Sequence, residues 1–247
     1  LAQLEAEGYC ILPGFVEPHI TAAVRAHLDA IVPQQLPGAL STLEEAKAHG
    51  VHEIRHPIPG EIMATLASHP RTLALARYLI RSPDLRMREQ ILSRTDPVPP
   101  PPDRPITASS FHIDAPFLRE EFEATPRQVY WQSILYCSDV APGQANIRLI
   151  PRSHHRTLAA NRDPTEAARQ RFTEAANINW PCTESPGIEG ISTRDAIEVS
   201  AKDGTLVLFN PMLLRERNPP PLPLCARGEL TRTIFEYFFL LTLKASR

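Results

Sequence analysis

Apolar positions in the first third of the chain recur at three- and four-residue spacing. Ile20, Val24, Leu28 and Ile31 fall on one face of a helix that Pro18 opens and that runs to about Ile31. Before it, Leu1 to Glu7 predicts a short helix stopped by Gly8, and Tyr9-Cys10-Ile11-Leu12 predicts a brief strand closed by a Pro13-Gly14 turn. Residues 40–48, 60–67 and 71–80 predict further helices, with Pro70 just ahead of the last. The pattern then changes. Leu85 to Ser93, Val129 to Cys137, Ile147 to Ile150 and Arg232 to Leu243 are rich in β-formers, and the turn Lys202-Asp203-Gly204 leads into the strand Thr205 to Phe209. Between them, Pro164 to Ala176 predicts a polar surface helix. Helices first and strands afterwards predict an α+β domain in which helices flank a double-sheet β-roll, undivided by any repeat or linker.

Composition narrows the partners. The 247 residues carry 26 Lys+Arg against 28 Asp+Glu, a balance that points to no nucleic acid and no membrane surface as partner. No apolar run approaches a membrane span and no signal-peptide order opens the chain, so a cytoplasmic location is expected. Cys10, Cys137, Cys182 and Cys225 are too scattered for a close-spaced metal pattern and are expected to be reduced. The 26 prolines concentrate at 97–102 and 219–223, which must be loops because proline fixes φ and removes a backbone donor.

The candidate chemistry lies in Ser109-Ser110-Phe111-His112-Ile113-Asp114-Ala115-Pro116. In an extended segment residues at i and i+2 share a face, so His112 and Asp114 could hold one metal ion together. Two histidines and a carboxylate make the open site of non-haem Fe(II) oxygenases. The second histidine should come from far downstream, yet none follows His155. Away from a metal, His112 would be a hydrogen-bonded histidine and Asp114 a turn residue before Pro116. His154 and His155 read as parts of a structural turn rather than as ligands. His49, His52 and His56 lie in a polar segment expected to face water. Tyr130, Trp131 and Tyr136 read as core or pocket-lining side chains, and Cys137 as a small buried hydrophobe.

Four stretches together resemble the phytanoyl-CoA dioxygenase family of Fe(II)/2-oxoglutarate oxygenases: residues 7–14, Phe111 to Asp114, Ile150 to His154, and Asp203 to Phe209. The resemblance covers nearly the whole chain. It implies one domain over residues 1–247 with a cupin-like jelly roll, the double-stranded β-helix, and flanking N-terminal helices. It also implies Fe(II), 2-oxoglutarate as co-substrate, O₂ and a small organic substrate. On this resemblance His112 and Asp114 match the iron ligands. Arg232 matches the arginine whose planar fork grips the far carboxylate of 2-oxoglutarate, and Gln90 and Ser133 match its polar contacts.

The family's distal histidine would follow a segment like Phe209 to Leu214, where this chain has Arg215. A guanidinium has no available lone pair and stays protonated, so it cannot ligate. Three outcomes remain open at this level. Glu216 or Asn218 completes the site; or His112 and Asp114 hold the metal with help from the co-substrate; or the fold persists without redox chemistry and binds a small anion. A proline-loop interaction module, docking through 97–102 and 219–223, is the alternative from a different class.

Overall fold

The computed structural model describes residues 2–31, 51–55, 58, 60–80, 87–95, 111, 113, 129–142, 146–162, 190–217 and 232–241. Its helices are α1 (Ala2–Glu7), α2 (Pro18–Ile31), α3 (Ile62–Ser68), α4 (Pro70–Ile80) and α5 (Ser153–Arg162). Its strands are β1 (Tyr9–Leu12), β2 (Val51–Arg55), β3 (Met87–Thr95), β4 (Val129–Tyr136), β5 (Ile147–Leu149), β6 (Ile197–Glu198), β7 (Thr205–Phe209), β8 (Arg215–Arg217) and β9 (Arg232–Leu241). The helix expected over 40–48 and the one over 164–176 lie outside the described residues.

The strands form a six-stranded sheet in the order β1-β7-β4-β9-β3-β2 and a three-stranded sheet in the order β6-β5-β8. All the ladders are antiparallel. Because side chains alternate across a strand, each face of the larger sheet can be followed from its register. One face carries Leu135 of β4, Leu206 of β7, Leu92 of β3 and Ile54 of β2, which pack with Val24, Leu28, Met63 and Leu66 of the helices. The other carries Ile134, Tyr136, Val207, Phe209 and Tyr9, which pack against Ile147 and Leu149 of the smaller sheet. The helices of the first third therefore cover one side of the six-stranded sheet, and the short sheet covers the other.

Two glycines join the N-terminal segment to the later chain. Gly8 ends α1 at φ 84°, and a β-carbon there would meet the ring of His154 at 2.4 Å. Gly204, at φ 80°, has its would-be β-carbon 2.5 Å from the carbonyl oxygen of Val16, and its own carbonyl accepts the Phe15 N–H at 2.7 Å. Both positions need the left-handed region and open space, which glycine alone supplies without strain. Beside the second turn, the Asp203 carboxylate accepts from Thr21 Oγ1 at 2.9 Å and from Arg25 at 3.1 Å. Cys10 and Cys137 are buried free thiols, and desolvation raises the pKa of each, as suits small hydrophobes.

Candidate functional site

The segment between β7 and β8 is fixed at almost every residue. The Asn210 N–H reaches the Gly8 carbonyl at 2.8 Å, and Asn210 Oδ1 accepts the Met212 N–H at 2.9 Å. From the first turns of α5, Thr157 Oγ1 donates to the Met212 carbonyl at 2.5 Å and Ser153 Oγ accepts the Leu214 N–H at 2.9 Å. The Ile150 N–H closes the set on the Leu214 carbonyl at 3.0 Å. The Pro-Arg-Ser-His stretch thus acts as a clamp on the residues that lead into β8. His154 belongs to this clamp: its ring lies 3.9 Å from that of His155 and its Nε2 meets the Glu5 carbonyl at 3.2 Å. Burial lowers its pKa, favouring the neutral ring.

The clamp delivers two opposite charges to opposite faces of β8. Arg215 pairs in register with Leu149, whose side chain belongs to the core between the sheets. It is 6% exposed, and its guanidinium carbon lies 5.2 Å from the centroid of the Phe209 ring. Glu216 pairs with Arg148 and takes the other face, where the two side chains form an ion pair at 2.5 Å. Arg148 in turn lies 5.5 Å over the ring of Phe111.

His112 and Asp114 lie outside the described residues, but Phe111 and Ile113 do not. Both are buried in one cluster with Ile150, Ile191, Met212 and Leu214. The chain flanking His112 is therefore packed on the residue immediately before Arg215. Arg232 opens β9 opposite Thr95, and in register it shares the face of Ser93, Ile134 and Tyr136, the face turned to the smaller sheet.

Ser133 lies on the helical side of β4. It lines the space between α4 and the six-stranded sheet with Phe15, Leu75, Leu79, Trp131 and Leu208, on the opposite face to Arg215. Gln90 shares the register of Leu92 and Arg94, which meet the helices. The structure thus does not bring Gln90 and Ser133 to the face that carries the register position of Arg232. The reason is the two-residue period of a strand, in which a one-residue offset reverses the face. The residue of β4 on the inner face is Gln132, opposite Phe209. It is 5% exposed, and its Oε1 finds no hydrogen-bond donor among the described residues. Alternation would have found it only if β4 were apolar on one side, and it is apolar on both.

The family model for phytanoyl-CoA dioxygenase (PhyH) matches residues 4–214. The chain belongs to the phytanoyl-CoA dioxygenase family. No curated protein matches it. Among solved structures it is similar to the epimerase SnoN in complex with Fe3+, alpha ketoglutarate and nogalamycin RO, at 16% identity and TM-score 0.66 over 97% of this chain and 81% of that one. It is also similar to EctD from S. alaskensis with 2-oxoglutarate and 5-hydroxyectoine, at 16% identity and TM-score 0.63 over 96% and 73%. HygX from Streptomyces hygroscopicus, with nickel and 2-oxoglutarate bound, gives 16% identity and TM-score 0.56 over 97% and 85%. These likenesses establish a shared fold. The phytanoyl-CoA dioxygenase family is one of oxidoreductases dependent on iron, 2-oxoglutarate and O₂.

The matched span stops at residue 214, one position before Arg215. Arg215 has no lone pair to give, and Glu216 is turned away from it and held by Arg148. No group of three metal-binding side chains forms among the described residues.

Proposed function

We propose that this protein is an oxidoreductase of the Fe(II)- and 2-oxoglutarate-dependent dioxygenase class, built on a single double-stranded β-helix domain and acting on a small organic molecule. The observation that carries the proposal is the family match over residues 4–214. The packing of Phe111 and Ile113 on Met212 and Leu214 supports it, since it draws the His112 and Asp114 segment towards β8. In this reading His112 and Asp114 are the metal ligands and Arg232 grips the far carboxylate of the co-substrate. Gln132, on the inner face opposite Phe209, takes the polar role that the resemblance gave to Ser133. With two side-chain ligands instead of three, metal retention depends on bound 2-oxoglutarate. The substrate class follows the relatives: the SnoN and EctD structures hold nogalamycin RO and 5-hydroxyectoine.

One observation favours a second reading. Arg215, buried on Phe209, repels a divalent cation, and a descendant that kept the fold while binding a small anion would have this arrangement. Anaerobic Fe(II) titration with and without 2-oxoglutarate separates the two. A charge-transfer band, followed by succinate on admitting air, supports the dioxygenase. No band at millimolar metal, together with a restored band in Arg215→His, supports the descendant.

A further inference from the structure

The start of α5 does more than clamp the chain that leads into β8. It also borders a cleft of about 200 Å³, lined among others by Ile150, Pro151, His155, Arg156, Ile191 and Asp195. Its apolar wall comes from a cluster already described, since Ile150 and Ile191 are 2% and 7% exposed and pack with Phe111 and Leu214. Its charges come from two sides. Arg152 lines the cleft as well, but its Nε and Nη2 donate to the Glu7 carboxylate at 2.7 to 3.1 Å. Arg156 is not committed in this way. Its guanidinium lies flat over Gly190, where a β-carbon would be 3.6 to 3.7 Å from Cζ, Nη2 and Nε alike. One face of the fork is thus covered while its N–H edges stay open, with no hydrogen bond or ion pair to the side chain among the described residues. Asp195 stands across the cleft at the end of the turn Thr193–Asp195, and its carboxylate is likewise unpaired among the described residues. His155 keeps its ring against that of His154.

A free cation and a free anion that line one cleft without joining each other select a ligand. A phosphate or a dicarboxylate would set two negative charges against one uncommitted arginine and meet Asp195 as a like charge. A zwitterion serves both groups. Its carboxylate fits the Arg156 fork through two parallel N–H···O bonds, and its ammonium donates to Asp195. In a 2-amino acid the two charged groups share one carbon, whose third substituent then meets the remaining wall of Ile150, Pro151 and Ile191. Volume limits the size: about 200 Å³ is below the roughly 300 Å³ at which pockets take drug-sized ligands, so a single amino acid suits the cleft and a nucleotide does not. We propose that this cleft binds a free 2-amino acid with a short aliphatic side chain. The site goes beyond the dioxygenase reading, because it uses neither His112 nor Asp114 and needs no metal. Arg156 and Asp195 are both exposed, so each charge contributes only several-fold in affinity, and recognition depends on meeting the two together.

The probes that test this are L-leucine, 4-methylpentanoate, which lacks the ammonium, and 3-methylbutylamine, which lacks the carboxylate, with inorganic phosphate as the rival anion. Titration calorimetry of the full chain in EDTA at neutral pH should show L-leucine binding, each singly charged analogue weaker by about fivefold or more, and no phosphate binding. Arg156→Gln should weaken L-leucine by about fivefold or more and leave the amine unchanged or tighter. Arg156→Lys, which keeps the charge and loses the fork, should fall between. Asp195→Asn should weaken L-leucine and leave 4-methylpentanoate unchanged or tighter. Both substitutions are at exposed positions, so thermal unfolding of the variants should match the wild type and a loss of binding reads the site rather than the fold. Failure of L-leucine to bind at tens of millimolar overturns the proposal. So does L-leucine binding that is indifferent to Arg156 and Asp195, and so does phosphate binding tighter than that of L-leucine. Because the titration is made without metal, its failure leaves the iron band and succinate formation to be judged separately, and failure of those leaves amino-acid binding intact.

Discussion

The two faces of the six-stranded sheet are buried to the same degree and built for different ends. Towards the helices, Leu28, Leu66 and Leu92 are 0% exposed, and the ion pairs Arg25–Asp203 and Arg94–Asp29 each keep one side chain open to solvent, Arg25 at 36% and Asp29 at 61%. Towards the smaller sheet, Arg215 is 6% exposed and lies among Phe209, Leu149 and Leu213. Unsatisfied polar atoms do not distinguish the faces: among the described residues, Ser133 Oγ and Trp131 Nε1 lack partners on the helical side just as Gln132 Oε1 does on the other. Charge distinguishes them. A guanidinium costs more to desolvate than a hydroxyl or an indole, so Arg215 is held on the inner face against a larger penalty. The helical face is a packed apolar layer, and the inner face buries a charge within its own.

The largest expected effect tests that division from the helical side. Leu28→Ala opens a void in a fully packed cluster and should cost about 2 to 5 kcal/mol, read as a lower urea midpoint with unchanged slope. Carboxylate or metal binding by the molecules that remain folded should not change. A variant that binds more weakly in proportion to its lost stability would show that the two faces are coupled, and the comparison would fail.

Next in size is Glu216→Gln. It leaves Arg148 without its carboxylate, but Arg148 is partly exposed, so the cost should be about 1 to 3 kcal/mol rather than that of a fully buried pair. Iron titration is the sharper measurement on this variant. Unchanged metal affinity agrees with a structural ion pair around a buried carboxylate, whereas a large drop would make Glu216 a metal ligand and place the site on its face of β8.

How far the sequence revealed these faces depends on the element. The helix α2 was legible because Ile20, Val24, Leu28 and Ile31 are spaced for one buried stripe, and all four are buried. The strand β9 was legible from its run of β-formers. In contrast, β8 is Arg-Glu-Arg next to a proline-rich stretch, and only pairing with β5 makes it a strand. Similarly β2, Val-His-Glu-Ile-Arg, passed for a water-facing polar segment, because an edge strand needs few apolar residues and Ile54 is the one in the core. The helix α5 was hidden in what read as a turn, since its outer residues are polar and its hold on Met212 and Leu214 comes from hydroxyls. Arg215 was visible as a departure in the sequence, but its stacking on Phe209 and the inward place of Gln132 come from register, which no local pattern specifies.

A smaller effect is expected at the rim. Thr21→Val removes one donor from Asp203 while Arg25 keeps the carboxylate paired, so the loss should be about 0.5 to 1.5 kcal/mol. Thermal unfolding measures it. A loss well above that range would mean that the rim contributes more to the helical face than its exposure suggests.

The smallest effect concerns pH and the clamp. His154 has its pKa held below the usual histidine value, chiefly because burial penalises the imidazolium, with the neighbouring His155 acting in the same direction. A lowered folded-state pKa means that the unfolded chain binds the proton more readily. The stability contributed by neutral His154 is therefore fully present above the unfolded value near 6.5 and declines as pH falls towards the folded one. Urea midpoints should drop slightly from pH 7.5 to pH 5.5, and His154→Gln should flatten that part of the profile. Because the ring stands on the clamp that leads to β8 and not in the helical cluster, the same acidification should leave the Leu28→Ala penalty unchanged. If the pH response survives in His154→Gln, the titrating group lies elsewhere and the clamp is not where acid first loosens the inner face.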